Sequence, residues 1–489
     1  MLKQGKNSLI SKICLIVLLF IGFVYRYRGL TQNYSFWTDE EHIAIFVRAI
    51  LERGKPVLIN GYTTGLFQSF QYWLSALFAG IFGLNEFALR LPSVVFGVLT
   101  IWAAYLLGEK LFNRKVGLLA AFFITFLRIE ILWSRQARPY QALQFLLLLG
   151  AYFIYKLVEE KKFKIVNLLA VILTGVVAAL FHGLGAIFFL ILFINLIFFR
   201  PAWLHLKWVV VGLIILPLMT APFWLYVSTV AGNFGKINNL YFYRVFLWYN
   251  YSLFVFLALI GIFYLFAEKK KTWFLPCCFL VVQFFIASFL LNQPFTRYLY
   301  IVFPFLVLLG SYGLWSTVEF AKISNFLKMI TVSFLAIFIA GMGWKFALTP
   351  KSYYPLNEDM QEIPQVDWKK IYGLAFEKLK ENPEAVFASN WTDLSVWFLG
   401  EGKLDYLIIK SEIQTDPLTG AKIINNLESF KSLLSQKPQG LLIIDSWDSN
   451  VPEGVREFAK KNLKKELEID RLFPVQPRYW PVEFFSWEI

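Results

Sequence analysis

The stretch Ile13-Cys-Leu-Ile-Val-Leu-Leu-Phe-Ile-Gly-Phe-Val24 decides the fold, because it is an apolar run that follows Lys3, Lys6 and Lys12. No small-residue cleavage site comes after it, so it is typical of a retained first membrane span with a cytoplasmic N-terminus. Apolar runs near the roughly 20 residues that a membrane helix needs recur as far as Leu348. The pattern predicts a polytopic α-helical membrane protein.

The composition supports this prediction. Of the 489 residues, 58% are hydrophobic and 16% are charged, whereas soluble globular chains carry about 25% charged residues. These values exclude a disordered chain, a coiled coil and an ordinary soluble enzyme. The three cysteines, Cys14, Cys277 and Cys278, lack the spacing of a disulfide framework or a zinc site.

Charge divides the chain into two parts. Residues 351–489 contain 17 Lys and Arg and 22 Asp and Glu, while the preceding residues contain 30 and 11. We therefore predict a transmembrane domain at 1–348 and an extracytoplasmic domain at 349–489. Because the basic residues of the first part lie in short loops, which is how membrane proteins encode orientation, nucleic-acid binding is not expected.

Loop charge predicts the orientation in the cell membrane. Basic loops at 110–115, 156–164, 200–207, 269–271 and 322–328 are placed in the cytoplasm. The outer segments are then 26–66, 128–140, the turn at 182, 227–248, 292–298 and the tail after 348. This scheme allows only two crossings for the three runs 67–83, 91–107 and 116–127, so one of them should be interfacial or re-entrant. We expect about 11 full crossings and up to 12 or 13 membrane-inserted helices.

The tail is predicted to be a soluble α/β domain. Residues 385–389 and 440–445 are short apolar runs typical of buried strands, and 425–435 is helix-like. An amphipathic helix is expected at 455–467, and closing strands in the aromatic run 473–487. The tail has no Gly-rich phosphate fingerprint, metal spacing or nucleophile elbow, which favours a structural or acceptor-contacting role.

Asp39 is the only aspartate in the first 358 residues, and it lies in Phe36-Trp-Thr-Asp-Glu-Glu-His42 in the first outer loop. Thr38 and Glu41 fit a capping box, and we favour that role for Glu41. For Asp39 we favour catalysis, because a carboxylate at a helix N-terminus stays ionised and can act as a general base.

Two neighbours of Asp39 are weaker candidates. Glu40 can assist the base or hold a cation, and His42, three residues after Asp39, can orient it. For both residues a role on the helix surface is the alternative.

Arginines recur at the predicted outer boundaries, in Arg128-Ile-Glu-Ile-Leu-Trp-Ser-Arg-Gln-Ala-Arg-Pro-Tyr140 and at Arg297-Tyr298. Snorkelling explains such arginines, but their planar fork also suits a phosphate, and a helix that begins near Pro139 can add backbone N–H groups. Arg138 and Arg297 are therefore predicted to bind a phosphate-bearing substrate. Further candidates for substrate contact are Arg135, Tyr140, Tyr298, His42 and His182, although a lone histidine at a turn is often only an interfacial residue.

Several motifs resemble one known family when taken in order. They are Tyr25-Arg-Tyr-Arg-Gly-Leu30, Phe36-Trp-Thr-Asp-Glu40, Leu84-Asn-Glu-Phe-Ala-Leu-Arg-Leu-Pro92, 106–114 and Ser134-Arg-Gln-Ala-Arg-Pro-Tyr140. The chain resembles the dolichyl-phosphate-mannose protein mannosyltransferases, which form glycosyltransferase family 39, and their bacterial aminoarabinose-transferase relatives. The likeness covers about the first 155 residues well, and 181–182 and 297–310 more loosely.

The resemblance implies a GT-C membrane fold and transfer of a sugar from a polyprenyl phosphate to an acceptor hydroxyl at the outer face. The acceptor would be a glycan, a lipid or a protein, and membrane lipid would surround the enzyme. The family's first-loop acidic pair falls on Asp39 and Glu40, and its second-loop arginine on Arg138. Tyr140 and Gln141 stand where many members have an acidic residue, so the need for a divalent cation stays open. The alternative function is a transporter or flippase of a lipid-linked or anionic substrate.

Overall fold

The computed structural model describes residues 2–37, 39–65, 69–160, 162–230, 238–342, 345–354, 366–472 and 480–488. Its helices follow the apolar runs. Before the tail they are α1 (Leu2–Tyr27), α2 (Glu40–Arg53), α3 (Ser69–Phe82), α4 (Glu86–Leu111), α5 (Arg114–Phe126), α6 (Arg128–Trp133), α7 (Tyr140–Glu159), α8 (Ile165–Phe181), α9 (Ile187–Phe199), α10 (Leu206–Val230), α11 (Leu240–Ala267), α12 (Phe274–Phe289), α13 (Arg297–Tyr300), α14 (Phe303–Phe320) and α15 (Asn325–Met342).

Seven helical segments in the described ranges are long and apolar enough to cross a membrane. They are Leu9–Gln32, Glu86–Leu111, Tyr140–Glu159, Leu206–Ser228, Leu240–Ala267, Lys271–Phe289 and Phe303–Phe320. Three shorter apolar helices cover Ile165–Phe181, Gly183–Phe199 and Asn325–Gly341. The predicted polytopic α-helical class is confirmed.

The three runs that conflicted with the charge rule differ in length. The run 91–107 lies in α4, which has 26 residues. In contrast, α3 has 14 residues and α5 has 13, or about 20 Å each at 1.5 Å per residue, against a hydrocarbon core of about 30 Å. The runs 67–83 and 116–127 therefore supply the short helices, and 91–107 supplies the long one.

Two glycines bring α11 and α14 together. A Cβ at Gly261 would clash with the carbonyl oxygen of Leu309, and a Cβ at Gly313 would clash with that of Leu257. Only a residue without a side chain permits this backbone approach. The contact fixes the middle of α14 against α11, and α14 follows the short helix α13 that carries Arg297.

The tail forms a six-stranded sheet with helices on its faces, as predicted for an α/β domain. Its elements are α16 (Trp368–Glu381), β1 (Val386–Ser389), α17 (Thr392–Leu399), β2 (Tyr406–Ile408), β3 (Lys422–Ile424), α18 (Leu427–Gln436), β4 (Gln439–Asp445), α19 (Glu453–Asn462), β5 (Lys464–Ile469) and β6 (Val482–Glu488). The strand order is β3-β2-β1-β4-β6-β5. The first four strands run parallel, and β6 pairs antiparallel with both β4 and β5.

The two faces of the sheet bury separate cores. Alternate residues of each strand point to opposite faces of the sheet. Phe387 and Ile443 therefore pack with Tyr372 in the core on one face, while Leu442 and Ile444 belong to the core on the other face. The helix predicted at 455–467 is wrong at its end, because α19 stops at Asn462 and Lys464–Ile469 is strand β5. The alternation Lys-Lys-Glu-Leu-Glu-Ile and the antiparallel pairing with β6 outweigh helix propensity there. Of the predicted closing strands, β6 is observed, and 473–479 lie outside the described residues.

Packing groups the chain into two compact units. The helical unit consists of Met1–Thr31, Gly65–Gln71 and Arg90–Tyr354, and the sheet unit consists of Gln32–Thr64, Tyr72–Leu89 and Pro355–Ile489. The sheet unit therefore includes the first outer loop and α2 as well as the tail. Each unit is described separately below.

Candidate functional site

The turn that enters α2, in the sheet unit, is closed by Glu40. The backbone N–H of Trp37 donates to Glu40 Oε2 at 2.9 Å, which is the reach-back half of a capping box. The predicted capping role of Glu41 is wrong, since neither of its carboxyl oxygens has a hydrogen-bond partner in another described residue. The capping residue thus lies one position earlier than expected, and Thr38 lies outside the described residues.

Asp39 stands directly before α2. Its backbone is already helical, with φ −89° and ψ −11°, and its side chain accepts no hydrogen bond from the first N–H groups of α2. The residue is partly exposed, whereas Glu40 and Glu41 are fully buried. Of the three consecutive carboxylates, only that of Asp39 is accessible from outside the unit.

Glu41 is a buried carboxyl group surrounded by acidic neighbours. Burial raises the pKa of Glu41 well above 4.5, and the negative charges of Glu40, Asp393 and Asp39 raise it further. Glu41 therefore keeps its proton to a higher pH than an exposed glutamate does.

The raised pKa of Glu41 predicts a pH-dependent cost. Since the folded state binds the proton more tightly than the unfolded state, stability falls as the pH rises above 4.5. Relative to Glu41→Gln, the unmodified protein should lose up to about 1.4 kcal/mol per pH unit until the folded pKa is passed. Thermal unfolding of the two detergent-solubilised proteins at pH 5 and pH 8 measures this. Parallel pH dependence of the two midpoints would contradict the assignment.

Helix α2 is anchored on α17 of the same unit. Arg48 Nη1 and Nη2 donate to the carbonyl oxygens of Val396 and Trp397 at 3.1 and 2.6 Å, and the guanidinium carbon lies 4.4 Å from the centre of the Trp397 ring. A cation at the last carbonyls of a helix satisfies groups that have no partner within the helix. At the other end of the helix pair, His42 Nδ1 lies 3.4 Å from Asp393 Oδ2. The turn with Asp39 is thus held by the tail domain.

In the helical unit, the two predicted phosphate-binding arginines share one aromatic ring. The guanidinium carbons of Arg138 and Arg297 lie 5.6 and 5.9 Å from the centre of the Tyr140 ring. The two arginines are only 9% and 7% exposed. Residues 159 positions apart in the chain therefore bring two positive charges to one buried location, where an anion offsets their mutual repulsion.

His182 and two tyrosines complete this group, which we call the cationic cluster: Arg138, Arg297, Tyr140, His182, Tyr226 and Tyr298. The His182 ring lies 5.4 Å from that of Tyr140 and 4.6 Å from that of Tyr226. The hydroxyl groups of Tyr226 and Tyr298 are 3.4 Å apart. Tyr226 could not be singled out in the sequence because it lies inside the apolar helix α10. In the structure, a Cβ at Gly183 would clash with the side chain of Tyr226.

A buried network of hydrogen bonds holds the helices that carry the cationic cluster. Glu130 on α6 accepts hydrogen bonds from Gln144 Nε2 on α7 and from Tyr300 Oη on α13, both at 3.1 Å. Gln144 Nε2 also donates to the carbonyl oxygen of Tyr300 at 2.9 Å. Because Arg138 lies two residues before the first residue of α7 and Arg297 begins α13, the network holds the two helix starts beside the arginines.

Arg135, a predicted candidate for substrate contact, has other partners. Its Nη1 donates to the carbonyl oxygens of Tyr25, Arg26 and Arg28, at 3.3, 3.1 and 2.6 Å, and its Nη2 donates to that of Ser352 at 2.6 Å. These bonds tie the end of α1 to the segment 128–140, and the guanidinium group of Arg135 is occupied by backbone carbonyl groups.

No group of three or more His, Cys, Asp and Glu side chains in the described ranges is placed to hold a metal ion. The described carboxylates near Asp39 lie at the start of α2 and on α17, and burial raises the pKa of one of them, Glu41.

Comparisons with known proteins agree with the motifs. Residues 70–226 match the family model described as Dolichyl-phosphate-mannose-protein mannosyltransferase, which confirms the predicted resemblance. This range includes Arg138, Tyr140, His182 and Tyr226 of the cationic cluster, but not Asp39. No curated protein sequence matches the chain.

The fold is shared with solved membrane proteins. ArnT from Cupriavidus metallidurans in the apo state has a TM-score of 0.59 at 13% identity, covering 99% of this chain and 98% of that one. The same protein bound to undecaprenyl phosphate has a TM-score of 0.58 at 12% identity, and the match covers 98% of each chain. The oligosaccharyltransferase AglB from Archaeoglobus fulgidus, in complex with an inhibitory peptide and a dolichol-phosphate, has a TM-score of 0.57 at 11% identity. The match covers 94% of this chain and 73% of that one. The predicted GT-C fold with a following sheet domain is confirmed.

Proposed function

We propose that this chain is a membrane glycosyltransferase, which moves a sugar from a polyprenyl-phosphate donor to an acceptor hydroxyl at the extracytoplasmic face of the cell membrane. The observation that carries the proposal is the buried pair of guanidinium groups over Tyr140. It occurs in a fold shared with ArnT, which has been solved with undecaprenyl phosphate, and inside the range that matches the mannosyltransferase model.

The donor phosphate is assigned to Arg138 and Arg297. Guanidinium groups bind phosphate oxygens in a bidentate way, and in a water-poor location this binding is stronger than at an exposed surface. A polyprenyl phosphate is already a stable leaving group, so it needs its developing charge stabilised more than it needs a proton. Two fixed cations supply that stabilisation without a general acid.

The acceptor proton is assigned to Asp39. Glu40 Oε2 is held by the backbone N–H of Trp37, and Glu41 is fully buried with a raised pKa. Asp39 is the accessible carboxylate of the three, and its side chain does not cap α2. Glu40 then serves the reaction by holding the turn, and His42 and its partner Asp393 support the same turn from α17.

The proposed reaction is a single displacement at the anomeric carbon. The acceptor oxygen forms the new glycosidic bond while the bond from the anomeric carbon to the phosphate oxygen breaks. The electron pair of the broken bond stays with polyprenyl phosphate, and the acceptor proton moves to Asp39. Attack opposite the leaving group inverts the anomeric configuration.

The orientation from loop charge completes the proposal, with the N-terminus in the cytoplasm and the domain 349–489 outside. Since this tail anchors α2, we propose that it holds the base-bearing loop and contacts the acceptor. None of the similar proteins reported above is a transporter, and the transporter alternative gains no support from them.

Purified protein in proteoliposomes tests the function. We expect sugar-labelled undecaprenyl-phosphate hexose or pentose to yield labelled product with envelope glycan, lipid or protein acceptors. Movement of the labelled donor between leaflets without any glycosidic product would contradict the proposal and indicate a transporter. Mass spectrometry of the envelope glycans from a strain that lacks the protein identifies the donor and the acceptor together. The sugar that is missing identifies the donor, and the molecule from which it is missing identifies the acceptor.

A further inference from the structure

The imidazole of His182 has a fixed tautomer. Its Nδ1 accepts a hydrogen bond from the backbone N–H of Leu184 at 3.1 Å, which closes the turn between α8 and α9. A ring nitrogen that accepts a hydrogen bond carries no proton. In the neutral ring the proton is therefore on Nε2, and this atom is a hydrogen-bond donor.

The surroundings of His182 keep the ring neutral. Burial, together with the positive charges of Arg138 and Arg297, lowers the pKa of His182 to about 3. The aromatic rings that face the imidazole are those of Tyr140 and Tyr226. A third positive charge in the cationic cluster would add repulsion, so the histidine contributes a directed N–H group without a charge.

The imidazole lies beside the same tyrosine ring as the two arginines. The Tyr140 ring lies within 6 Å of the imidazole and of both guanidinium groups. In the described residues, the side chain of His182 makes one hydrogen bond, to the backbone N–H of Leu184. The turn bond accounts for Nδ1 and leaves Nε2–H available to a ligand.

We infer that His182 is a neutral phosphate ligand, which donates through Nε2–H to the polyprenyl phosphate held by Arg138 and Arg297. The inference rests on the proposed function for the identity of the lipid anion. It adds a third donor to the phosphate site and gives that donor no part in proton transfer. The proton of the reaction goes to Asp39, and Nε2–H stays intact through the cycle.

Two substitutions separate this role from a structural one. In His182→Asn the amide oxygen occupies the position of Nδ1 and can accept the Leu184 N–H, but the donor at Nε2 is lost. In His182→Gln the amide nitrogen reaches the position of Nε2, while the acceptor for the turn is lost. His205→Asn makes the same change at an exposed histidine and serves as the matched control.

Binding of undecaprenyl phosphate to the full-length protein, followed by native mass spectrometry, gives the decisive measurement. We expect His182→Asn to keep the melting temperature and to weaken binding about tenfold or more, as for a lost hydrogen bond to a charged group. His182→Gln should melt lower and bind more tightly than His182→Asn, and His205→Asn should change neither quantity.

Two results would overturn the inference: unchanged binding in His182→Asn, or binding that follows the melting temperature in both variants. The readout is independent of the transfer reaction. If sugar transfer fails while the binding difference persists, the proposed function is wrong and the phosphate site stands. If transfer succeeds and the two variants bind alike, only the role of His182 is lost.

Discussion

Asp39→Asn should abolish sugar transfer while leaving the protein folded. Asparagine has the shape of aspartate but cannot take the acceptor proton, and loss of a general base typically costs about 10²- to 10⁴-fold in rate. Folding should persist because the Asp39 side chain does not cap α2, whereas Glu40 closes the turn. The measurement is the rate of product formation with a sugar-labelled undecaprenyl-phosphate donor, together with the melting temperature and the binding of undecaprenyl phosphate.

Glu52→Gln is the matched control for this substitution. Glu52 lies on the same helix and is exposed, so the loss of its charge should leave the rate within a factor of about two, as for most surface changes. Binding of the donor lipid should be unchanged in both variants, because the phosphate is assigned to other residues. Full activity of Asp39→Asn would remove the base assignment.

Arg138→Ala combined with Arg297→Ala should reduce kcat/KM for the lipid donor by about 10²- to 10⁴-fold, since each charge-assisted hydrogen bond to a phosphate is worth about 10- to 150-fold. The single variants should each show part of this loss. Arg138→Lys keeps the charge but not the planar fork, so it should recover only a fraction of the activity. Initial rates against donor concentration measure these effects.

Arg244→Ala provides the control for the arginine series, because Arg244 is an exposed arginine whose nearest recorded ring is Tyr241, at 5.6 Å. It should not change kcat/KM. Removal of two like charges from a buried location should not lower the melting temperature of the double variant by itself. If the double variant keeps its donor kinetics, the phosphate lies elsewhere and the cationic cluster is only structural.

Local pattern was enough to predict much of this fold. Apolar runs form helices at the expected places. The strands predicted at 385–389 and 440–445 are β1 and β4, because short apolar runs between helix-like segments are typical of buried strands. The pairing of Arg138 with Arg297 followed from their shared chemistry at two predicted outer boundaries. Their common ring, Tyr140, was among the predicted contacts.

Other features depend on contacts between distant residues and could not be predicted. The choice of Glu40 over Glu41 as the capping residue depends on where the chain enters α2, a difference of one residue that composition does not encode. Arg135 and Arg138 lie three residues apart in one motif, yet one binds backbone carbonyl groups and the other joins the cationic cluster. Tyr226 looks like any other aromatic residue of a membrane helix until its neighbours are known.

The sheet unit is built from segments that lie far apart in the chain, so the ribosome synthesises them at different times. Residues 32–64 emerge roughly 300 residues before the tail that completes the unit. At about 5–20 residues per second, the ribosome needs roughly 15 to 60 seconds to make the intervening chain. During that interval α2 has no α17 to hold it. A chain that terminates before α17 therefore lacks the contacts that hold α2 and the turn with Asp39, and under the proposed function it should be inactive.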